Sequence, residues 1–376
     1  MELSNKPFSL LIKPASADCN QVCAYCFYLN RAKLYPGQQR RMPTKILKRL
    51  VSGYMKTPQP QYVFTWQGGE PTLMGLDFFK KVVKLQQEHT APGISVSNGI
   101  QTNALLIDDE FAEFLARYNF LVGVSLDGPA YIHDRYRKNK NRTGTYQAVM
   151  KGIDCLKRNE AEFNILILVS QANVKKGKEV YQFLCEKAFY YHQYVECVEF
   201  DKRGQPLPYS ITGEEWGNFL CEVFDEWIKS DIYRVSIRLF DAVLSHMVEN
   251  RYTMCSMGPN CGQYFVVEFN GDIYPCDFFV REDMKIGNIN KNSWYDLLES
   301  PTYTNFAAQK SKWNRQCETC KYHSFCFGDC LKNRNPVLEK PGQLSWLCKG
   351  WKIFYEHALP GFHAIAEKMG KNTERV

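Results

Sequence analysis

Apolar positions along this chain alternate between two periods. Short apolar, β-branched or aromatic runs fall at residues 8–13, 62–67, 94–98, 121–126, 163–169 and 193–198, and they read as buried parallel strands. Helical periodicity fills the intervals, at residues 45–55, 77–89, 108–117, 145–159 and 178–187. In the first of these, Ile46, Leu47, Leu50, Val51 and Tyr54 share one face. Thr44, Asp108 and Thr145 are predicted N-caps. Six strands alternating with helices predict a parallel α/β sheet or a partial barrel, with right-handed connections. A helix at residues 214–229 closes this region. Beyond about residue 235 the alternation stops, and cysteine, glycine and aromatic residues crowd together. There a strand pair at 264–269 and 272–275 flanks Asn270-Gly271, a strong hairpin signal. The expected domains are therefore 1–235 and 236–376.

Composition narrows the function class. At 376 residues, 45% hydrophobic and 14% aromatic, the chain can bury a large core and is not disordered. No apolar run approaches the eighteen or so residues of a membrane span. The N-terminal apolar stretch ends at Lys13 and is too short for a secretory signal. A net charge of +7 over this length is a mild bias, so neither nucleic acid nor membrane is expected as a partner.

The fifteen cysteines change the picture. With no export signal, a reducing, cytoplasmic setting is expected, where spacing patterns read as metal or catalytic sites before disulfides. Cys155, Cys185, Cys197 and Cys221 stand alone and read as small buried hydrophobes. The other eleven form three groups.

Cys19-x3-Cys23-x2-Cys26 puts three thiols in eight residues just after the first strand. Thiolates are the usual ligands of iron–sulfur clusters, and three on a cubane leave one iron open; a zinc site short of one ligand is the alternative. With Tyr25 and Phe27 beside them, these cysteines resemble the signature of radical S-adenosylmethionine (SAM) enzymes. The resemblance implies a 4Fe–4S cluster that chelates SAM, and a partial (β/α)6 radical SAM barrel. Forty-two residues after Cys26, Gly68-Gly69-Glu70-Pro71 follows a strand and resembles the family motif that contacts the SAM amino group. Paired glycines admit close approach to the backbone. Gln101 and Ser125, at the ends of the third and fourth strands, can hydrogen-bond a ribose or carboxylate, and Arg137 can pair with a carboxylate. By resemblance, Tyr25, Gly68, Gly69, Glu70, Gln101, Ser125, Arg137 and Val198 line the SAM pocket.

Downstream lie Cys255, Cys261 and Cys276, then Cys317-x2-Cys320-x5-Cys326-x3-Cys330 and Cys348. Eight thiolates suffice for two fully ligated cubanes; two four-cysteine zinc sites are the alternative on spacing alone. The pattern resembles the SPASM extension, a small irregular cysteine-rich domain with two auxiliary 4Fe–4S clusters. In that family Cys255, Cys261, Cys276 and Cys330 would hold one cluster, and Cys317, Cys320, Cys326 and Cys348 the other.

Asp277 immediately follows Cys276, where a carboxylate can serve as general base beside an electron acceptor. The run Asn270–Phe279 resembles its counterpart in anaerobic sulfatase-maturating enzymes, and local matches extend from Leu10 to the region of Cys348. That family resemblance implies Asp277 as catalytic base, with three 4Fe–4S clusters and SAM as cofactors. It implies oxidation of a Cys or Ser to formylglycine in an unfolded or nascent sulfatase polypeptide. The target would carry a Cys/Ser-x-Pro-x-Arg-type motif, and a flavodoxin or ferredoxin would supply electrons. The chain departs from the family at Ala104 and Asp329, where Gly is common, and in a Tyr-rich segment near 189–205. Two other readings are a SPASM peptide maturase that forms thioether or carbon–carbon cross-links, and a zinc-stabilised scaffold that binds a peptide.

Overall fold

The computed structural model describes residues 6–37, 40–334 and 342–373. Among them run ten strands: β1 (Ser9–Lys13), β2 (Gln61–Trp66), β3 (Ser95–Thr102), β4 (Phe120–Ser125), β5 (Phe163–Val169), β6 (Tyr191–Glu196), β7 (Ser236–Ile237), β8 (Tyr264–Glu268), β9 (Asp272–Tyr274) and β10 (Gly287–Asn288). The chain forms two compact units. One draws on Met1–Ser125, Arg137–Phe163 and Gly262–Ala307, the other on Leu126–Tyr136, Asn164–Cys261 and Ala308–Val376.

In the first unit the strand order is β10-β9-β8-β1-β2-β3-β4. Strands β8, β1, β2, β3 and β4 run parallel, and β9 and β10 continue antiparallel. Alternate residues Leu10 and Ile12, and Phe64 and Trp66, are fully buried, as the period of two requires. Phe8, Tyr54, Phe265 and Trp294 pack their rings 5.2–6.0 Å apart. Losing one such ring costs about 3–5 kcal/mol.

Strand β3 runs on to Thr102, past the expected end at 98. Its polar residues look like a strand end, yet Asn98 is satisfied internally. Asn98 Oδ1 accepts from Trp66 Nε1 and Gln86 Nε2, both at 3.0 Å, and Nδ2 donates to Gln86 Oε1 at 2.8 Å. The hairpin forms at Asn270-Gly271, with Gly271 at φ +85°. Its parallel pairing with β1, which sets Lys13 opposite Glu268, joins segments some 250 residues apart in sequence, and no local pattern announces it.

Of the three expected caps, Asp108 accepts from Phe111 N at 2.9 Å. Thr44 instead lies inside its helix, Thr44–Tyr54, with Pro43 at the N-cap. Thr145 holds the N-cap position without capping; its hydroxyl accepts from Gln21 Nε2 at 2.9 Å.

In the second unit β5, β6 and β7 run parallel. Thr212 and Glu215 form a capping box on the helix Gly213–Ser230, which packs against the long helix Cys348–Thr373. The two approach at glycines: a Cβ on Gly350 would lie 1.9 Å from Gly213 O. Of the four isolated cysteines, expected to be buried, only Cys197 is. Cys155, Cys185 and Cys221 are half-buried on helices, at the edges of the apolar stripes. Among the described residues, no helix is long and apolar enough to cross a membrane.

Candidate active site

The three N-terminal cysteines occupy the loop between β1 and the 3-10 turn Phe27–Lys33. Three neighbours fasten this loop. Gly69 N donates to Ser16 O at 2.7 Å and Glu70 N to Asp18 O at 2.8 Å. Val22 N donates to Lys138 O at 2.8 Å. Asn103 Nδ2 donates to Asn20 Oδ1 at 2.7 Å and approaches Cys19 Sγ at 3.6 Å. The glycine pair is spent on this closeness: a Cβ on Gly69 would lie 2.0 Å from Asp18 O, and Gly68 adopts φ +124°. Burial, then the Glu70 charge, pushes the Cys19 thiol up to about 12. Burial also raises Cys26, against the opposing charges of Arg137 and Arg31.

Glu70 is fully buried, and the chain itself supplies its donors. Oε1 accepts from Thr72 N (3.0 Å), Thr72 Oγ1 (2.7 Å) and Thr102 Oγ1 (2.7 Å), and Oε2 from Asn103 N (2.8 Å). Burial nonetheless makes the carboxyl hold its proton more tightly than usual. Gln101 Nε2 donates to Ser125 Oγ at 3.2 Å, lying across Gly123, where any Cβ would meet Gln101 Oε1 at 2.1 Å. The Arg137 guanidinium lies 5.5 Å from the Tyr25 ring centre. Val198 is buried beyond β6 in the second unit.

Asp277 sits in the first unit, after Cys276, in a buried cage of charges. Lys13 Nζ lies 3.0 Å from its Oδ1 and 3.2 Å from Glu268 Oε1. Arg31 Nη1 lies 3.4 Å from the same Oδ1 and donates to the Asp277 carbonyl. Tyr28 OH donates to Asp277 Oδ2 and accepts from Gln67 Nε2 at 3.2 Å. Burial alone would raise the Asp277 carboxyl, but Lys13, Arg31 and the Tyr28 hydrogen bond together hold it below the usual carboxylate range. Burial and the Asp277 charge push the Tyr28 phenol well above its ordinary value, so Tyr28 keeps its proton and donates. Tyr264 OH donates to Cys276 Sγ at 3.2 Å and accepts from Asp277 N at 3.4 Å, joining thiol and carboxylate.

In the second unit, Cys317, Cys320, Cys326 and Cys348 line one hollow. Among the described residues, four buried polar atoms of its lining have no hydrogen-bond partner: Asp329 Oδ1, His323 Nε2, Tyr322 OH and Trp351 Nε1. Elsewhere in this unit Lys310 Nζ donates to the carbonyls of Cys255 (2.5 Å) and Ser256 (2.7 Å).

The Radical SAM superfamily matches residues 14–184, and an iron-sulfur cluster-binding domain, SPASM, matches residues 255–321. A serine-type anaerobic sulfatase-maturating enzyme of Bacteroides thetaiotaomicron is 37% identical over 94% of this chain and 90% of its own. A cysteine-type enzyme of Clostridium perfringens is 34% identical over 96% of this chain and 99% of its own. The chain belongs to the anaerobic sulfatase-maturating enzymes. A solved structure of anSMEcpe with bound AdoMet and a peptide superposes with a TM-score of 0.90, at 34% identity, over 96% of this chain and all of that one. The expected α/β class with its cysteine-rich extension stands.

The side chains of this sulfatase-maturating enzyme fit iron–sulfur clusters and SAM. Three neighbouring thiols, Cys23 buried and Cys19 and Cys26 half-buried, repel one another as thiolates, and bound iron relieves that cost. Lys310 is fully buried, with neutral carbonyls as its partners, and a buried ammonium needs an anionic neighbour. Among the described residues, no three His, Cys, Asp or Glu converge on a point that would hold one ion.

Lys13, Arg31, Tyr28 and Glu268 escaped the sequence reading. Lys13 did carry a signal: a charge closing an otherwise apolar strand. At the two single-residue departures the backbone explains why glycine is common in the family. Ala104 (φ +60°) and Asp329 (φ +66°) adopt the left-handed backbone that glycine takes at no cost.

Proposed function

We propose that this enzyme oxidises a Cys or Ser side chain of a sulfatase polypeptide to Cα-formylglycine without molecular oxygen. Cys19, Cys23 and Cys26 hold the SAM-binding cluster. Tyr25, Gly68, Gly69, Glu70, Gln101, Ser125 and Arg137 form SAM's surroundings. The remaining eight ligand cysteines hold two auxiliary clusters, one of them through Cys317, Cys320, Cys326 and Cys348. When bound, these groups supply a carbon-centred radical that takes a hydrogen atom and a sink for one electron.

The observation that carries the reading is Asp277, a buried carboxylate kept ionised by Lys13 and Arg31 and aimed by Tyr28. The substrate loses one hydrogen atom from Cβ, one electron, and the thiol or hydroxyl proton. Asp277 takes that proton. Because the proton leaves as the electron departs, a weak base suffices. A thioaldehyde or aldehyde results, and water converts the thioaldehyde to the aldehyde with release of hydrogen sulfide. The burial of Asp277 excludes bulk water from the proton transfer. The peptide bound in the anSMEcpe structure supports a polypeptide substrate, here one with a Cys/Ser-x-Pro-x-Arg-type stretch. A flavodoxin- or ferredoxin-like protein is the proposed electron donor.

The test is anaerobic reconstitution, followed by reaction with reductant, SAM and matched Cys and Ser peptides, with aldehyde read by mass spectrometry. Asp277→Asn should lower aldehyde formation by about 10²–10⁴-fold, with iron content and 5′-deoxyadenosine release retained. Unchanged aldehyde formation would exclude Asp277 as the base. A cross-linked peptide in place of the aldehyde would refute the function.

A further inference from the structure

Arg334 and Lys352 lie near the cysteines of the second unit, and two further charges there, opposite in sign, have only uncharged hydrogen-bond partners for their side chains among the described residues. Lys310 is the cation. It is fully buried, and among the described residues its ammonium donates only to the carbonyls of Cys255 and Ser256. Asp329 is the anion. It lies between Cys326 and Cys330 in a left-handed turn, after Phe327 (φ +43°) and Gly328 (φ +71°), a region Asp and Asn tolerate better than other side chains. Asp329 Oδ2 accepts from Ser345 Oγ at 2.6 Å and Asn333 Nδ2 at 3.1 Å. Oδ1 is buried without a donor, and the residue lines the hollow of Cys317, Cys320, Cys326 and Cys348. After burial, the Asp329 charge is the next cause of Glu196's raised proton affinity.

We propose that Lys310 and Asp329 set the reduction potentials of the two auxiliary clusters in opposite directions. Lys310 favours the reduced form of the cluster bound through Cys255 and Cys261. Asp329 disfavours reduction of the cluster bound through Cys317, Cys320, Cys326 and Cys348. This rests on the reading that those cysteines hold clusters. One-electron reduction adds a negative charge. A fixed cation beside it lowers the energy of the reduced form, and a fixed anion raises it, most strongly where water is excluded. An electron delivered to the pair therefore resides on the cluster beside Lys310.

The test is an EPR-monitored redox titration of the reconstituted full-length enzyme, alongside Asp329→Asn, Lys310→Met and Ser345→Ala, with iron counted for each. Asn keeps the size, an acceptor oxygen and the tolerance for this backbone, and removes only the charge. Asp329→Asn should raise one midpoint enough to change that cluster's reduced-to-oxidised ratio about tenfold at fixed potential, which is 59 mV for one electron. Lys310→Met should lower the other midpoint by a similar ratio. Ser345→Ala, which removes a hydrogen bond and keeps the charge, should move neither. Unmoved midpoints in the two charge variants overturn the proposal. So does Ser345→Ala reproducing the Asp329→Asn shift. If Asp329→Asn fails to retain iron, the Lys310→Met titration decides alone, and no downward shift overturns the proposal. Wild-type enzyme with about four irons per chain in place of about twelve would instead refute the cluster reading itself.

Discussion

Replacing Lys13 with Met strikes the centre of the Asp277 cage. Lys13 is 1% exposed, with its Nζ 3.0 Å from Asp277 and 3.2 Å from Glu268. Two cations, Lys13 and Arg31, face two carboxylates, so the buried charges balance. Removing one partner of a buried pair costs about 3–5 kcal/mol, mostly because a charge is left stranded. Glu268 is the carboxylate left most exposed to that cost, since its Oε2 already lacks a donor. Lys13→Met should therefore destabilise the enzyme by about 3–5 kcal/mol. Adding Glu268→Gln restores the balance and should recover all but about 1–2 kcal/mol. The assay is the unfolding midpoint of the reconstituted enzyme for wild type, both single variants and the double, with each 1 kcal/mol moving the midpoint by about 1–2 °C in a chain of this length. A coupling between the two sites below about 0.5 kcal/mol would refute the reasoning. Lys13 would then contribute mainly through its stem, which passes over the Tyr28 ring with Nζ 4.6 Å from the centre.

Two more perturbations probe the second unit. Gly350→Ala places a Cβ against Gly213 O at 1.9 Å and forces apart the helix that begins at Cys348. Iron analysis should show loss of about four irons per chain, and full retention would contradict the placement. His192 is buried and neutral. Its ring contacts Phe189 O through Nε2 (2.8 Å) and Tyr194 OH through Nδ1 (3.2 Å), and burial pushes its pKa down to about 4. The unfolded chain therefore binds a proton, below about pH 6.5, that the folded chain refuses. Stability should be full above that pH and fall by about 3 kcal/mol as the pH drops toward 4. In His192→Gln, unfolding midpoints at pH 7 and pH 5 should differ less than in the wild type; an equal difference would assign the acid sensitivity to other groups.

What the sequence disclosed and what it concealed divide along a physical line. Cysteines at fixed spacing are legible because ligation is a matter of residue type and short-range reach, so the group at Cys19, Cys23 and Cys26 and the run from Cys317 stand out before any fold is known. Strands β1 to β6 are legible for a similar reason: one buried face, with the other partly covered, imprints a short apolar or aromatic run, with no error at all for Phe163–Val169. The end of β3 is not, because Asn98, Gly99 and Gln101 are polar or small for reasons that lie on other segments, Gln86 and Trp66 among them. The Asp277 cage is the extreme case. Lys13 and Glu268 meet only because β8 pairs in parallel with β1, and Arg31 and Tyr28 reach Asp277 from a 3-10 turn about 250 residues upstream. None of the four has a spacing that marks it. A buried charge, however, cannot be left unpaired at small cost. Once Lys13 is recognised as the buried, charged terminus of a parallel strand, an acidic partner for it is required, and the carboxylate beside Cys276 meets that requirement while remaining ionised to take a proton.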